Sequence, residues 1–295
     1  MMVPLDASDE SSRAIPWADA LAVSVPAEVL LARGVGWQDL LFQPISGTGD
    51  EVPRLIELAE HDLERSSKRF QHVHPRIKVM RGEPDELASL AHEEKADLIV
   101  MATHGRGGVE RSLAGSVMGE VIADAGLPVL SIGPNVPDDA ARAPRVILAA
   151  SDGSELAKML FPALAPLARA LKAKVILFRA LETIETLALQ GALIPLENPF
   201  NPRTEELTED LGALADGLRA QGLSVDIAAG FGGASSAILE AAEQEGADMI
   251  ALTTHSRRGL AHWVLGSVAE AVIAEATVPV FVYHPKEVAA KKKSA

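Results

Sequence analysis

The sequence contains no cysteine among its 295 residues. That excludes disulfide staples, thiolate metal sites and cysteine nucleophiles together, and it is compatible with a reducing compartment. Aromatic residues make up only 4% of the chain while Ala, Val, Leu and Ile abound. Such a composition suits helices packed on a parallel sheet better than an aromatic-rich β-sandwich. Basic residues are the minority, 27 against 41 acidic, for a formal net charge of -14. Phosphate neutralisation needs a basic surface, so nucleic acid is not an expected partner. No uninterrupted apolar run approaches the ~20 residues of a membrane-spanning helix, and Met1 to Glu10 carries acidic groups in place of an apolar targeting stretch. The expectation is a cytoplasmic protein without a membrane partner, and the Lys291-Lys292-Lys293 run reads as a solvated tail. With 48% hydrophobic and 23% charged residues the composition is that of an ordinary globular protein, long enough for two domains.

What is present is a repeat. Lys95 to Pro134, KADLIVMATHGRGGVERSLAGSVMGEVIADAGLPVLSIGP, aligns without a gap on Gly246 to Pro285, GADMIALTTHSRRGLAHWVLGSVAEAVIAEATVPVFVYHP. Asp97/Asp248, Thr103/Thr254, His104/His255, Arg106/Arg257, Gly108/Gly259, Gly115/Gly266, Ser116/Ser267, Val117/Val268 and Pro128/Pro279 coincide. The starts repeat as well, with Asp6 and Asp152 each ending an apolar run. Two domains, 1–134 and 144–295, are therefore expected, with Asn135 to Pro144 as the linker.

Within each copy, short β-branched runs alternate with segments of helical period, the pattern of a βα-repeating fold with a buried parallel sheet. Strands are expected at Met2 to Leu5, Glu28 to Arg33, Ile77 to Met80, Asp97 to Ala102 and Val129 to Ile132. Their counterparts are Val146 to Ala150, Lys174 to Arg179, Ser224 to Ala228, Asp248 to Thr253 and Val280 to Tyr283. Helices are expected at Glu83 to Glu94 and at Ser116 to Ala125, the latter stopped by Gly126 and Pro128. Pro44 to Gly49 and Pro195 to Pro202 read as loop excursions. The fold class is α/β, two doubly wound, flavodoxin-like domains in tandem, each with a five-stranded parallel sheet.

In such a sheet the winding reverses beside the first strand, and ligands bind in the crevice between the carboxyl ends of strands one and four. The unusual residues fall at those two ends. Asp6 and Asp152 follow strand one, and the loops Thr103 to Ser116 and Thr254 to Ser267 follow strand four. A Gly-Ser at a helix start supplies a side-chain cap, exposed backbone N–H groups and the positive end of the helix dipole, together an anion cradle. Gly105, Gly107 and Gly108 permit close approaches that a Cβ would block. Each feature alone also fits a plain tight turn or an ordinary helix start, but together, with Gly-Ser repeated at matched spacing in both halves, they favour phosphate binding.

The phrases VPLDASDES, LIVMATHGRGG, LAGSVMGEVI and LPVLSI, with ILAASDGSE, THSRRGL, VLGSVAEAVI and VPVFVYHP in the second half, resemble a tandem universal stress protein. The resemblance spans essentially the whole chain and is most specific in the last part of each repeat. It implies a flavodoxin-like α/β domain, pairing of domains through the fifth strands, and in many members ATP at a motif of glycine, two residues, glycine, nine residues, glycine, then Ser or Thr. Copy one matches with Gly105 and Gly115-Ser116 but has Ala102 at the first glycine. Copy two keeps Gly266-Ser267, while Thr253 and Ser256 replace the earlier glycines. By resemblance, Pro4 and Asp6 line the adenosine side, as Asp152 does in copy two. Backbone around Met101 and Ala102 touches adenine or ribose, and Gly105, Gly115, Ser116 and Val117 meet the phosphates, with Val268 the counterpart of Val117. Apart from the resemblance, Arg106 and Arg257 are candidates for phosphate contact or for an exposed surface role. Gly34 and Ala180 stand where a larger apolar residue covers the base. The expected cofactor is ATP, with Mg2+ as its accompanying ion, and a homodimer of chains is compatible with the pairing.

Other signals carry less. Gly34-Val35-Gly36 lacks a third glycine and does not follow strand one. Gly230, Gly232 and Gly233 read as a strand-to-helix turn. His72 and His74 read as a solvated loop without a third metal ligand, and His104 and His255 as anchors of their loops or as groups facing a nucleotide. No Gly-x-Ser-x-Gly elbow or Gly-Lys-Ser/Thr phosphate loop is present. No catalytic base stands out, so a regulatory or protective nucleotide-binding module is the leading reading. A nucleotide-free interaction scaffold and a slow ATP-hydrolysing or adenylyl-transferring enzyme are its rivals.

Overall fold

The structure is a computed structural model, and it describes residues 1–35, 51–82, 86–103, 117–181, 202–254 and 265–285; of Glu51 and of 202–209 only the backbone is described. In copy one the chain runs β1 (Met2–Pro4), α1 (Asp9–Ser12), α2 (Ala14–Ser24), β2 (Leu30–Val35), α3 (Glu51–Ser67), β3 (Arg76–Arg81), α4 (Leu87–Glu93), β4 (Ile99–Ala102), α5 (Val117–Ala125) and β5 (Val129–Ile132). Copy two follows with β6 (Val146–Ala150), α6 (Glu155–Lys158), α7 (Leu160–Leu171), β7 (Lys174–Leu181), α8 (Pro202–Ala220), β8 (Ser224–Phe231), α9 (Ala234–Gln244), β9 (Met249–Thr253), α10 (Ser267–Glu275) and β10 (Val280–Tyr283).

The strands join in one ten-stranded sheet of order β3-β2-β1-β4-β5-β10-β9-β6-β7-β8. Each half therefore has the order 3-2-1-4-5. All ladders within a half are parallel, and the junction β5 with β10 is antiparallel, in the register Val280↔Ser131, Phe281↔Leu130 and Val282↔Val129. Central strands of this kind are buried on both faces, which is why their sequences are continuous apolar runs. Alternate residues feed two cores. Val3, Leu5, Leu31, Val100, Leu130, Ile147, Leu177 and Phe281 pack on one face against α2, α3, α7 and α8. Met2, Ile99, Val129, Leu148, Phe178, Ile250 and Val282 pack on the other against α4, α5, α9 and α10. Both cores run through both copies.

Four expected elements shift. β2 and β7 extend past the basic residues to Val35 and Leu181, and β8 continues to Phe231, because their ladders to neighbouring strands persist through polar and glycine positions. The helix expected from Glu83 begins, among the described residues, at Leu87. The excursion at 44–49 and residues 195–201 of the other lie outside the described residues, and Pro202, expected in the second excursion, is instead the first residue of α8.

The segment after β5 is tied down by side chains. Arg13, at the junction of α1 and α2, donates to the carbonyls of Gly133 (3.1 Å) and Val136 (2.5 Å) and pairs with Asp138. Asn135 donates Nδ2 to Ala274 O (2.9 Å) at the end of α10. Gly133 lies so close to α10 that a Cβ there would sit 2.5 Å from Ile273 O.

Candidate functional site

The crevice in each copy opens where the sheet order reverses, beside the carboxyl ends of β1 and β4 in copy one and of β6 and β9 in copy two. Pro4 is the buried last residue of β1, and two residues on Asp6 is exposed. Asp6 Oδ1 accepts from Ser8 N (2.9 Å) and Ser8 Oγ (2.6 Å), and Ser8 Oγ accepts from Ser11 N (3.0 Å) as the cap of α1. An Asp followed two residues later by a capping Ser folds this way because each oxygen satisfies an N–H the turn would otherwise orphan. Copy two repeats the device: Asp152 Oδ1 accepts from Ser154 N (2.9 Å), and Ser154 Oγ from Ala157 N (3.1 Å).

Across the crevice, Met101 is buried and Ala102 half-buried at the end of β4, with Thr253 half-buried at the end of β9. The buried Thr103 and Thr254 follow, their N–H groups donating to Ile132 O and Tyr283 O (3.0 Å each). Thr254 Oγ1 also accepts from Gly266 N at 3.1 Å. One hydroxyl thus ties the exit of β9 to the entry of α10, closing the base of the loop between them. In the sequence Thr254 is a repeated position, matched by Thr103, and that repetition is the available signal of a structural role.

Gly266 (φ -56, ψ 138) is the N-cap of α10, and no side chain caps the helix. Ser267 is the first helical residue, exposed like Val268. The expectation of a serine side-chain cap is corrected: the serine lies one residue too far along, so its hydroxyl cannot play that part. The consequence is a helix start whose first-turn N–H groups have no intrahelical acceptor and no side-chain cap, with the positive end of the dipole behind them. In copy one Val117 begins α5 and is half-buried. Gly105, Arg106, Gly115, Ser116 and Ser256 lie outside the described residues, as do His104, His255, Arg257, Gly107 and Gly108.

Set aside as a solvated loop, His72 is in fact bonded. Its Nδ1 lies 2.7 Å from Asp19 Oδ2, and Asp19, buried on α2, also accepts from the backbone N–H groups of Gln71, His72 and Val73. Burial pushes the Asp19 carboxyl up, and the bonds from His72 and the three amides outweigh it, leaving the pKa below the ordinary value. Among the described residues no group of three or more His, Cys, Asp or Glu is placed to hold a metal ion. No helix among them is long and apolar enough to cross a membrane.

A twice-built α/β unit with the strand order 3-2-1-4-5 in each half defines a tandem, doubly wound α/β protein. The model of the universal stress protein family matches residues 1–132 and again 144–284, and the chain belongs to that family. Among its relatives, the universal stress protein MJ0531 of Methanocaldococcus jannaschii is 33% identical over 136 residues, covering 45% of this chain and 80% of its own. Universal stress protein Rv2005c of Mycobacterium tuberculosis is 25% identical over 295 residues, 96% of each chain. The crystal structure of a universal stress protein from Archaeoglobus fulgidus shares the fold with a TM-score of 0.73 at 20% identity, covering 96% of this chain and 97% of that one.

Proposed function

We propose that this chain is a nucleotide-binding stress-response module that takes ATP in its crevices and acts as a regulator or protector rather than as a turnover enzyme. The observation that carries the reading is the start of α10, whose N-cap Gly266 offers no side-chain cap, following β9, the strand paired with the β6 that leads into the Asp152 turn. The donor set fits a nucleotide. Main-chain N–H groups at Ser267 and Val268 suit phosphate oxygens, while the Gly266 N–H is held by Thr254 Oγ1. An exposed carboxylate at Asp152 or Asp6 suits ribose hydroxyls, and the backbone ends of β9 and β4, at Thr253 and at Met101 and Ala102, flank the space for the base. Gly105, Arg106, Gly115 and Ser116 are the counterpart cradle in copy one, with Ser256 the residue that replaces a glycine in copy two. When bound, Mg2+ would neutralise phosphate charge, and the chain's own part is to hold the nucleotide around it.

Copy one is the tighter site in this reading. Pro4 stiffens the strand end before Asp6, and Gly105 allows a close approach that Ser256 hinders. The β5–β10 ladder is the seam that holds the two copies together inside one chain, in the cytoplasm, and it leaves each crevice at its own switch point. Native mass spectrometry of the purified chain, followed by calorimetric titration with ATP, tests the assignment. Retained nucleotide mass or saturable binding is expected, removed from copy one by Gly115→Val and from copy two by Gly266→Val. A folded wild-type chain that neither retains nor binds ATP overturns it. The second reading, a nucleotide-free scaffold, rests on Ala102 and Thr253, which put side chains at the strand ends where the family motif has glycine.

A further inference from the structure

The two acidic turns look alike, yet they are held from different sides. In copy one, Ser11 Oγ accepts from Asp6 N (3.3 Å) and donates to Ser8 O (3.1 Å), bracing the turn from within α1. The matched position in copy two is Ala157, which has no hydroxyl. There a different group takes the place. Arg179, 3% exposed near the end of β7, donates Nε to Ser151 O at 3.3 Å. Its Nη2 occupies the space beside Gly153, where a Cβ would lie 2.0 Å away. Gly153 sits at φ 80, and its N–H donates to Ser151 Oγ (3.2 Å).

Copy one has an arginine at the matched place. Ala150 pairs with Phe178 and Pro4 with Ala32, so Arg179 and Arg33 each stand one residue beyond the partner of the last strand-one residue. Arg33, however, reaches Asp62 of α3 at 2.8 Å. The residue matching Gly153 is Ala7, in the same left-handed region at φ 67. It carries a methyl group at the position where the absence of one on Gly153 leaves room for a guanidinium in copy two. A guanidinium keeps its charge when buried, so it is retained only where acceptors meet it.

We propose that Arg179 is the positioning residue of the second crevice, bracing the turn that carries Asp152 through Ser151, with Gly153 as the opening that admits it. Copy one performs the same task with Ser11 and excludes Arg33 with Ala7. The ligand part of this inference rests on the nucleotide reading above; the brace itself does not.

Hydrogen exchange of the full-length, nucleotide-free chain measures the brace directly. Arg179→Met is expected to speed exchange at the amides of Gly153, Ser154 and Ala157 at least tenfold. Arg33→Met should leave Asp6 and Ser8 at the wild-type rate, where Ser11→Ala speeds them. Gly153→Ala removes no partner of Arg179 but displaces its guanidinium, so it should reproduce the Arg179→Met pattern in a chain whose circular dichroism is unchanged. Adding Ala157→Ser to Arg179→Met should restore protection by importing the copy-one brace. Wild-type exchange at these amides in both Arg179→Met and Gly153→Ala overturns the proposal. In a chain whose first site is closed by Gly115→Val, Arg179→Met should also weaken ATP at copy two about tenfold, which corresponds to about 1.4 kcal/mol. Faster exchange with unchanged ATP affinity would overturn the positioning role. Absence of ATP binding in the wild type would sink the nucleotide reading while leaving the exchange result to decide the brace.

Discussion

Copy one and copy two build the same sheet order on largely different side chains. Asp19, the buried acceptor of three loop N–H groups, has Ala165 as its counterpart on α7, equally buried. The connections they face explain the exchange. Between α3 and β3 the chain passes through residues 68–75, and its N–H groups at 71–73 need an acceptor that α2 supplies. Between α8 and β8 the connection is only residues 221–223, and it is closed by the helix itself, with Gly222 at φ 84 and both Gln221 N and Leu223 N donating to Leu218 O. A buried carboxylate thus serves a longer loop, and where the loop is short an apolar residue suffices. Copy two has its own partly buried carboxylate elsewhere: Asp248 accepts from the N–H groups of Arg145 and Val146 and from Arg142, joining the linker to the start of β6. The same fold distributes its polar anchors according to local chain length.

The largest disturbance of this comparison should come where the copies meet. Val282 is fully buried in the β10 ladder, and Val282→Lys would place a charge there without a partner. A loss above about 4 kcal/mol is expected, within the severe class of buried-charge substitutions, read as a fall in denaturant midpoint and in solubility. If Val282→Lys left both unchanged, the ladder would not be the seam.

Asp19→Ala should cost about 1–3 kcal/mol, the penalty of leaving buried donors unsatisfied, whereas Ala165→Ser should be far milder. The pH dependence has a defined sign. Because the folded pKa of Asp19 is depressed, its contribution is fully present above the unfolded value of about 3.9 and is lost as pH falls through the lower folded value. Asp248 is depressed as well: burial pushes it up, and the Arg145 and Val146 amides and the Arg142 side chain outweigh that. Acid unfolding followed by circular dichroism should therefore show a shallower loss below pH ~4 in Asp19→Asn, and shallower still with Asp248→Asn added. An acid limb identical to the wild type in the double variant would remove both carboxylates from the account.

Thr254→Val keeps the shape of the side chain but leaves Gly266 N without its acceptor, for a loss of roughly 1–2 kcal/mol. Local exchange at Gly266 is the discriminating readout, since α10 itself should persist. The smallest effects belong to the paired caps. Ser8→Ala and Ser154→Ala should each cost about 0.5–2 kcal/mol by loss of a helix cap, and near equality of the two in thermal unfolding would show that this device was inherited unchanged by both copies. A cost in one copy alone would break the symmetry drawn here.

Much of the architecture was legible in the sequence, for particular reasons. The runs LIVMA and MIALT could only be central strands, since continuous apolar runs belong to strands covered on both faces, and they fold as β4 and β9. Asp6 and Asp152 were visible as polar residues ending such runs, and they do form the turns at the crevice. Thr254 was visible as a repeated residue but mute as to its bond with Gly266, because the two lie at opposite ends of a loop and only the closed loop brings them together. The role of Ser267 was misread by one position, as a cap residue is defined by backbone angles that residue type does not settle.

What the sequence by itself determined is therefore what short-range periodicity and repetition encode: two copies, an α/β pattern, strand ends marked by Asp and helix starts marked by Gly-Ser. What only the tertiary structure decided is which partners distant residues take. Nothing in the local sequence distinguishes Arg33, drawn outward to Asp62, from Arg179, folded beneath Gly153. The choice depends on whether a methyl group stands on the neighbouring turn, and that turn follows a different strand, adjacent only after the sheet has formed.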